Sequence, residues 1–396
     1  MGANTHIDWT DSTWNPLRGC SPASPGCKNC FAAAIAARFS GPGAPFEGLV
    51  RINAAGERRA EWNGVVKLAE KHLADPLRWG PAIDHSEWCD REWAVAVAQW
   101  ERVGGVKPKR EYGCDCPERP RRILTESVGD PFHEAVTDEM LDRIFAVILL
   151  TPQHVHQVLT KRPGRAYVYC TSGRIQRLIL ELLDLQQKGG IADKLTMRAV
   201  DRIRRDGVPG MEFPLPNVII GASVENQEWA DRRRGSMRAL HGLGWRTFAN
   251  HGPAVGGIKW DGWEFLEWLA AEGESGHAAR PTHPDWMRAD RDFAVAHSIP
   301  FYFKQWGEWL PTNQATEKQR TFRYRAHGLI DLSGRCSIHP GLDKPDPEFG
   351  LYTRNLDGND GAAAVYMIGK EFAGALLDGR ESRQFPAARA VGVQHG

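Results

Sequence analysis

The stretch Asn217-Val218-Ile219-Ile220-Gly221-Ala222-Ser223-Val224-Glu225-Asn226 decides the fold class. Its apolar run predicts a strand over Asn217–Val224, and the residues after it predict a helix over Gln227–Leu240. The same couple recurs on both sides. Upstream, strands are expected at Ile123–Ser127 and Val155–Thr160, each followed by a helix, over Thr137–Leu150 and Thr171–Gln187. Downstream, strands are expected at Trp245–Asn250, Leu266–Ala271 and Pro300–Phe303, with a helix over Pro284–His297. One more strand in Thr5–Gly19, ahead of an Ala-rich helix over Phe31–Phe39, brings the total to about seven βα units. Strands alternating with helices of this length predict an α/β fold, a full or partial (β/α) barrel of TIM type.

Around this frame, residues 1–310 are expected to form the barrel-type domain, with an insert at about 41–120. Trp62–Trp79 in the insert reads as a strand and a helical turn. Residues 311–396 change character, being rich in Gly, Arg and Asp. They are expected to form a small irregular C-terminal extension with one short helix in Ala362–Leu377 and a frayed tail over Arg380–Gly396.

The composition of the 396 residues is that of a globular protein, with 42% hydrophobic and 25% charged residues. Lys and Arg number 50 against 49 Asp and Glu, so the net charge is +1 and gives no general attraction to nucleic acid. Met1–Ser12 lacks the apolar core of a signal peptide, and no apolar run approaches the ~20 residues of a membrane helix. A cytoplasmic protein with no membrane partner is expected. Of eight Cys, three fall within eleven residues. In a chain without an export signal that cluster points to a metal or redox site.

Ligands of parallel sheets bind at the C-terminal ends of the strands. The residues just past each expected strand are therefore the candidates. They are Cys20-x6-Cys27-x2-Cys30, Asp130 and His133, Lys161 and Arg162, Ser223 and Glu225, Asn250-His251-Gly252-Pro253, Glu274, and Lys304. The three thiolates are soft ligands suited to an iron–sulfur cluster or to zinc. Three protein ligands leave one metal position open, and on zinc His6 or His133 would have to close the site. The helix starting near Cys30 puts its positive end beside the thiolates. Asp130 and His133 share a loop and are the candidate catalytic pair, orienting each other or a substrate. Lys161, Arg162 and Lys304 are candidates for anionic groups. Cys89, Cys170 and Cys336 are isolated and expected to pack as small hydrophobes, while Cys114-x-Cys116 could add ligands.

A three-Cys loop closed by C-x2-C, followed by the aromatic Phe31 and leading from a first strand into a helix of a βα barrel, resembles the radical S-adenosylmethionine enzymes. Their common pattern has three residues between the first two Cys where this chain has six. More narrowly, the chain resembles the phage-associated three-Cys-motif family of uncharacterised proteins. The shared stretches are Ile7-Asp8-Trp9-Thr10 with Thr13-Trp14-Asn15-Pro16, the Cys loop, Asp130-Pro131-Phe132-His133-Glu134, Gln157-Val158-Leu159-Thr160-Lys161-Arg162-Pro163, Gly221-Ala222-Ser223-Val224-Glu225-Asn226, Gly273-Glu274-Ser275-Gly276 and Phe303-Lys304-Gln305-Trp306-Gly307. Two places depart from the family pattern. A Ser and a Glu usually stand where this chain has Asn250 and Gly252, and a Gly usually stands where it has Glu272.

The resemblance implies a 4Fe-4S cluster on Cys20, Cys27 and Cys30, with S-adenosylmethionine on the fourth iron. Lys161, Arg162, Ser223, Glu225, Glu274 and Lys304 would line the cofactor pocket, and Val218-Ile219-Ile220-Gly221 would pack on the adenine. It also implies an electron-donor protein and, by the phage association, a nucleic acid or nucleotide as substrate. The competing expectation is a zinc-stabilised nucleic-acid-binding protein that uses Arg121-Arg122 and Arg232-Arg233-Arg234, or a phage interaction protein without catalysis.

Overall fold

A computed structural model describes residues 5, 7–53, 59–83, 98–99, 102, 117–179, 213–321, 325–340 and 361–387. Seven strands form one sheet: β1 (Ser12–Trp14), β2 (Arg121–Thr125), β3 (His154–Thr160), β4 (Val218–Val224), β5 (Arg246–His251), β6 (Trp268–Glu272) and β7 (Phe301–Gln305). They lie side by side in chain order, and every pairing is parallel. Right-handed crossovers between sequential parallel strands all pass on the same side. The helices α1 (Phe31–Arg38), α2 (Asp138–Leu149), α3 (Pro163–Thr171), α4 (Gln227–Gly242) and α5 (Pro284–Ala296) therefore back one face, and the sheet curls round the other. Among the described residues β1 and β7 do not pair, so the barrel is partial.

The strand periodicity sorts the core. Ile220, Ala222 and Val224 of β4 belong to the large cluster under the helices, with Met237, Leu240 and Ile144. Ile219 points the other way, into an inner cluster with Trp9, Leu124, Phe248, Trp268 and Tyr302. A side chain at Gly221 would meet the Phe248 ring at 2.2 Å. The opening over this glycine, expected to receive an adenine, is filled by the neighbouring strand's phenyl group. Caps fix where the helices begin: Thr137 accepts from Met140 N, Asn226 from Trp229 N and His283 from Asp285 N.

Three expectations about elements are corrected. The residues after Thr160 do not stay a loop until Thr171. Pro163 stands at the first helical position and starts α3 at once, because its missing N–H costs nothing there. Of the helix expected over Thr171–Gln187, residues 174–179 are helical, and the part beyond 179 lies outside the described residues. The stretch Ala362–Leu377 is a strand over Ala363–Met367 and a single helical turn over Lys370–Ala373. Helix propensity loses to pairing on both edges, since Ala363–Met367 lies between Trp309–Pro311 and Ala326–Ile330 in an antiparallel sheet whose last strand is Cys336–Pro340. The tail is tied down as far as Ala387. Ser382 O and Gln384 N bond Phe303 N and Phe301 O at 2.8 and 3.0 Å, and Trp268 Nε1 donates to Gln384 O at 3.0 Å. Phe385 packs on Trp268 and Tyr302.

In the insert, an antiparallel pair, Val50–Asn53 with Arg59–Trp62, packs on α1 through Phe46, Leu49 and Trp62. Among the described residues no helix is long and apolar enough to cross a membrane.

Candidate functional site

The Cys loop leaves β1, reaches over the C-terminal ends of the sheet and enters α1 at Cys30, the residue that caps it. Three polar side chains set among the cysteines hold it there, each through a different buried carboxylate. Ser21 Oγ accepts from Arg162 Nη2 at 2.9 Å, and Arg162 Nη1 donates to Asp130 Oδ2 at 3.0 Å. Ser24 Oγ donates to Glu225 Oε1 at 2.6 Å. Asn29 Nδ2 donates to Glu274 Oε2 at 3.0 Å. The anchors follow β2, β4 and β6, so the loop is fastened across most of the rim. Gly26 lets it lie that close, since a Cβ there would meet Glu225 Cγ at 2.6 Å.

The thiols of Cys20, Cys27 and Cys30 are partly buried and within electrostatic reach of one another. Burial, the charge of Asp130 and the other two thiols push Cys20 up to about 12, against the pull of Arg162. Burial raises Cys30 as well, opposed by the amides of Ala33 and Ala32 and the Trp62 indole. Ala23 N donates to Cys27 Sγ at 3.4 Å. Thiols held this way need a cation to become thiolates at neutral pH. Among the described residues no three His, Cys, Asp or Glu side chains are grouped as a single metal ion requires.

The other expected site residues fall into place as follows. Asp130 is buried and accepts from Thr160 Oγ1 (2.6 Å), Lys161 N (2.9 Å), Phe132 N (3.0 Å) and Arg162. His133 accepts from Ala135 N through Nδ1 at 3.0 Å, which leaves its proton on Nε2 to donate to Ser21 Oγ at 2.8 Å. Burial and Arg162 lower its pKa, so it is neutral. The side chains of Asp130 and His133 thus meet through Arg162 and Ser21, while the His133 amide donates directly to Asp130 O at 3.1 Å. Arg162 also grips Glu134 at 2.7 and 2.8 Å. Lys161 pairs with Glu225, which is fully buried and also accepts from Arg233 Nη1 at 2.8 Å. Burial alone would raise Glu225, but Lys161 and Arg233 hold its carboxyl below the usual range. Glu274 takes Arg280 in a fork, at 2.8 Å from Nε and 2.6 Å from Nη2. Ser223 is buried and its carbonyl accepts from Arg233.

Lys304 pairs with Glu272 at 2.5 Å, and Asn250 Nδ2 donates to the same carboxylate at 3.3 Å. A side chain at Gly252 would meet Glu272 Cγ at 2.7 Å. Positions 252 and 272 thus share one space, with the Glu272 side chain lying against the Gly252 backbone.

The sequence reading did not assign the buried Arg233 to the rim, did not single out Glu126, and named His251 only as part of its loop. Arg233 sits in a run taken as a surface for nucleic acid, yet it is buried against Glu225, while Arg232 and Arg234 pair outside with Glu228 and Asp231. Its spacing of eight from Glu225 was the available signal. Glu126 is buried, has φ of 68°, accepts from Leu17 N at 2.6 Å and has no partner for Oε2 among the described residues. Burial raises it well above the carboxylate range, so it is a neutral acid. His251 bonds Asp290 at 2.7 Å and Gly256 O at 3.0 Å, and Trp260 Nε1 reaches the other Asp290 oxygen at 2.7 Å. Cys170 is buried as expected, but Cys336 is exposed. His6, Cys89, Cys114 and Cys116 lie outside the described residues.

A parallel half-barrel with a cysteine loop fastened over its C-terminal rim is the class that fold and site define. The chain belongs to the DUF5131 family of proteins of unknown function, whose profile matches residues 4–386. Comparison of the sequence with curated proteins gives no match. Among solved structures it is similar to a cysteine-to-serine mutant of spore photoproduct lyase, with a TM-score of 0.30 and 11% identity over 90% of this chain and 74% of that one. A second mutant of that lyase, with AdoMet and a dinucleoside spore photoproduct bound, gives a TM-score of 0.29 and 9% identity over 88% and 71%. The fold assignment rests on the strand order and register, not on these scores.

Proposed function

We propose that this protein is an iron–sulfur enzyme of the radical S-adenosylmethionine type, with a 4Fe-4S cluster on Cys20, Cys27 and Cys30. The observation that carries the reading is the loop latched by three buried carboxylates over the C-terminal rim of a parallel sheet. The donor set suits a cluster: three thiols, with amide N–H groups directed at Cys27 and Cys30, those at Cys30 being the N-terminus of α1. A single zinc would need a fourth ligand beside the three thiols, and His133 has both ring nitrogens engaged.

When bound, the cluster and S-adenosylmethionine supply one-electron reductive cleavage of a C–S bond, with the electron coming from a donor protein. The chain's own residues position and shield. Arg162 and Lys161 hold the loop in register through Asp130 and Glu225. Ser223, Asn250, Glu272 and Lys304 lie on the wall below the loop, where the ammonium and carboxylate of the cofactor would find both signs of charge. The inner aromatic layer keeps water from the space beneath.

The test is anaerobic incubation of reconstituted protein with S-adenosylmethionine and dithionite. Release of 5′-deoxyadenosine and methionine, lost in Cys27→Ala, is the expected result. A protein that carries a full cluster yet neither binds nor cleaves S-adenosylmethionine would overturn the reading.

A further inference from the structure

Two side-chain donors of the Cys loop are spent on its anchors. Ser24 Oγ donates to Glu225 Oε1 at 2.6 Å, and Asn29 Nδ2 donates to Glu274 Oε2 at 3.0 Å and to Ala278 O at 2.6 Å. Ser21, the residue after Cys20, is different. A hydroxyl has two lone pairs and one proton. Arg162 Nη2 lies 2.9 Å from Ser21 Oγ, and a guanidinium can only donate. His133 Nε2 lies 2.8 Å from the same oxygen. The other ring nitrogen, Nδ1, accepts from Ala135 N at 3.0 Å, so the ring proton is on Nε2 and this bond also runs toward Ser21. Both lone pairs of Oγ are filled, and its own proton has to go to a third atom. Among the described residues none accepts it.

The surroundings of Ser21 place that third atom at Cys20. Arg162 donates to Ser21 O at 3.2 Å as well as to Oγ, and both Arg162 and its partner Asp130 act electrostatically on the Cys20 thiol. As a thiol, Cys20 Sγ donates to Ser21 O at 3.5 Å. As a metal ligand it is a thiolate, which has given up that proton and only accepts. Ligation thus creates, one residue away, the acceptor that the Ser21 hydroxyl lacks. Neither donor to Oγ can reverse its role. The His133 Nδ1 lone pair is held by an amide, and the Arg162 guanidinium keeps its protons. The hydroxyl is therefore fixed as a donor.

We propose that Ser21 Oγ–H donates to the sulfur at the Cys20 corner of the cluster and raises the cluster's reduction potential, with His133 and Arg162 as the positioning residues that aim it. This rests on the cluster reading above and adds to it the residue that sets the cluster's poise. Hydrogen bonds to the sulfurs are among the factors that fix such potentials. Reduction adds one electron, so the reduced cluster is the more negative state and gains more from the donor. Ser21 keeps its proton throughout.

The experiment is a redox titration of the reconstituted full chain, followed by the EPR signal of the reduced cluster, with iron measured for every variant. Ser21→Ala is expected to keep the parent's iron and to shift the equilibrium against the reduced form by roughly tenfold, about 59 mV for one electron. Ser21→Thr keeps the hydroxyl and should hold the parent's midpoint. An unchanged midpoint in Ser21→Ala overturns the inference, since the proton would then be going to water. A midpoint in Ser21→Thr shifted as far as in Ser21→Ala overturns it too. The cluster reading fails differently, as a parent that takes up no four-iron cluster, and this inference falls with it. If Ser21→Ala takes up no iron, nitrogen NMR of the parent's imidazoles decides. A neutral His133 with its proton on Nε2 is expected, and a proton on Nδ1 would let Ser21 donate to the ring and would overturn the proposal.

Discussion

The two ends of the sheet arrange their ion pairs differently. At the C-terminal rim four carboxylates have cations: Asp130 has Arg162, Glu225 has Lys161 and Arg233, Glu272 has Lys304, and Glu274 has Arg280, while Glu126 accepts from the Leu17 amide. At the N-terminal end two guanidiniums share Asp11. The C-terminal rim is scaffolding around a loop that carries three partly buried thiols. The N-terminal end has a cavity in place of a loop. Rim charges that look like ligand-binding groups in a sequence are thus mostly the means by which a loop is held still.

The largest effect should come from cutting one latch. Glu225→Ala strands Arg233 and Lys161 and frees Ser24, and loss of one partner of a buried ion pair typically costs about 3–5 kcal/mol. Urea unfolding at pH 7 measures this, and a loss below about 1 kcal/mol would mean that the rim pairs are not scaffolding. Gly26→Ala attacks the same latch sterically and should cost roughly 1–3 kcal/mol as an overpacked site. Gly41→Ala, with nothing within 4 Å of its Cβ, is the matched control and should leave stability and iron uptake unchanged.

A smaller effect sharpens the comparison within the rim. Glu272→Gly removes the partner of Lys304 and should weaken S-adenosylmethionine binding. Adding Gly252→Glu returns a carboxylate to the same space, and coupling between such neighbours runs to about 0.5–3 kcal/mol. If the double variant binds no better than Glu272→Gly, the space shared by positions 252 and 272 is not functional.

The smallest effect is on pH dependence. Burial alone would lower His251, but Asp290 and the carbonyl of Gly256 outweigh it and raise its pKa in the folded state. That stabilisation is full below the unfolded value of about 6.5 and fades as pH rises through the higher folded value. The melting temperature should therefore decline on the alkaline side, and Asp290→Asn should flatten that slope. An unchanged slope would show that His251 is neutral in the native protein.

The seven strands were legible because a parallel sheet covered by helices writes apolar runs such as Val218–Val224 and Phe301–Phe303 into the chain. The positions of the rim residues were legible for the same reason, since they follow those runs. Their roles were not. Arg162 and Lys161 read as anion binders until Asp130 and Glu225, at sequence separations of 32 and 64, claim them. The strand Ala363–Met367 and the anchored Phe385 depend on partners far along the chain, and local propensity carries no trace of those.

The most direct test of the central claim is metal and sulfide analysis of protein reconstituted without oxygen, read beside its visible spectrum. The account expects about four iron and four sulfide per chain with broad absorption near ~400 nm, all lost in Cys20→Ala, Cys27→Ala and Cys30→Ala while the folded fraction is kept. A colourless protein holding one zinc per chain, retained in the Cys20→Ala variant, would contradict it.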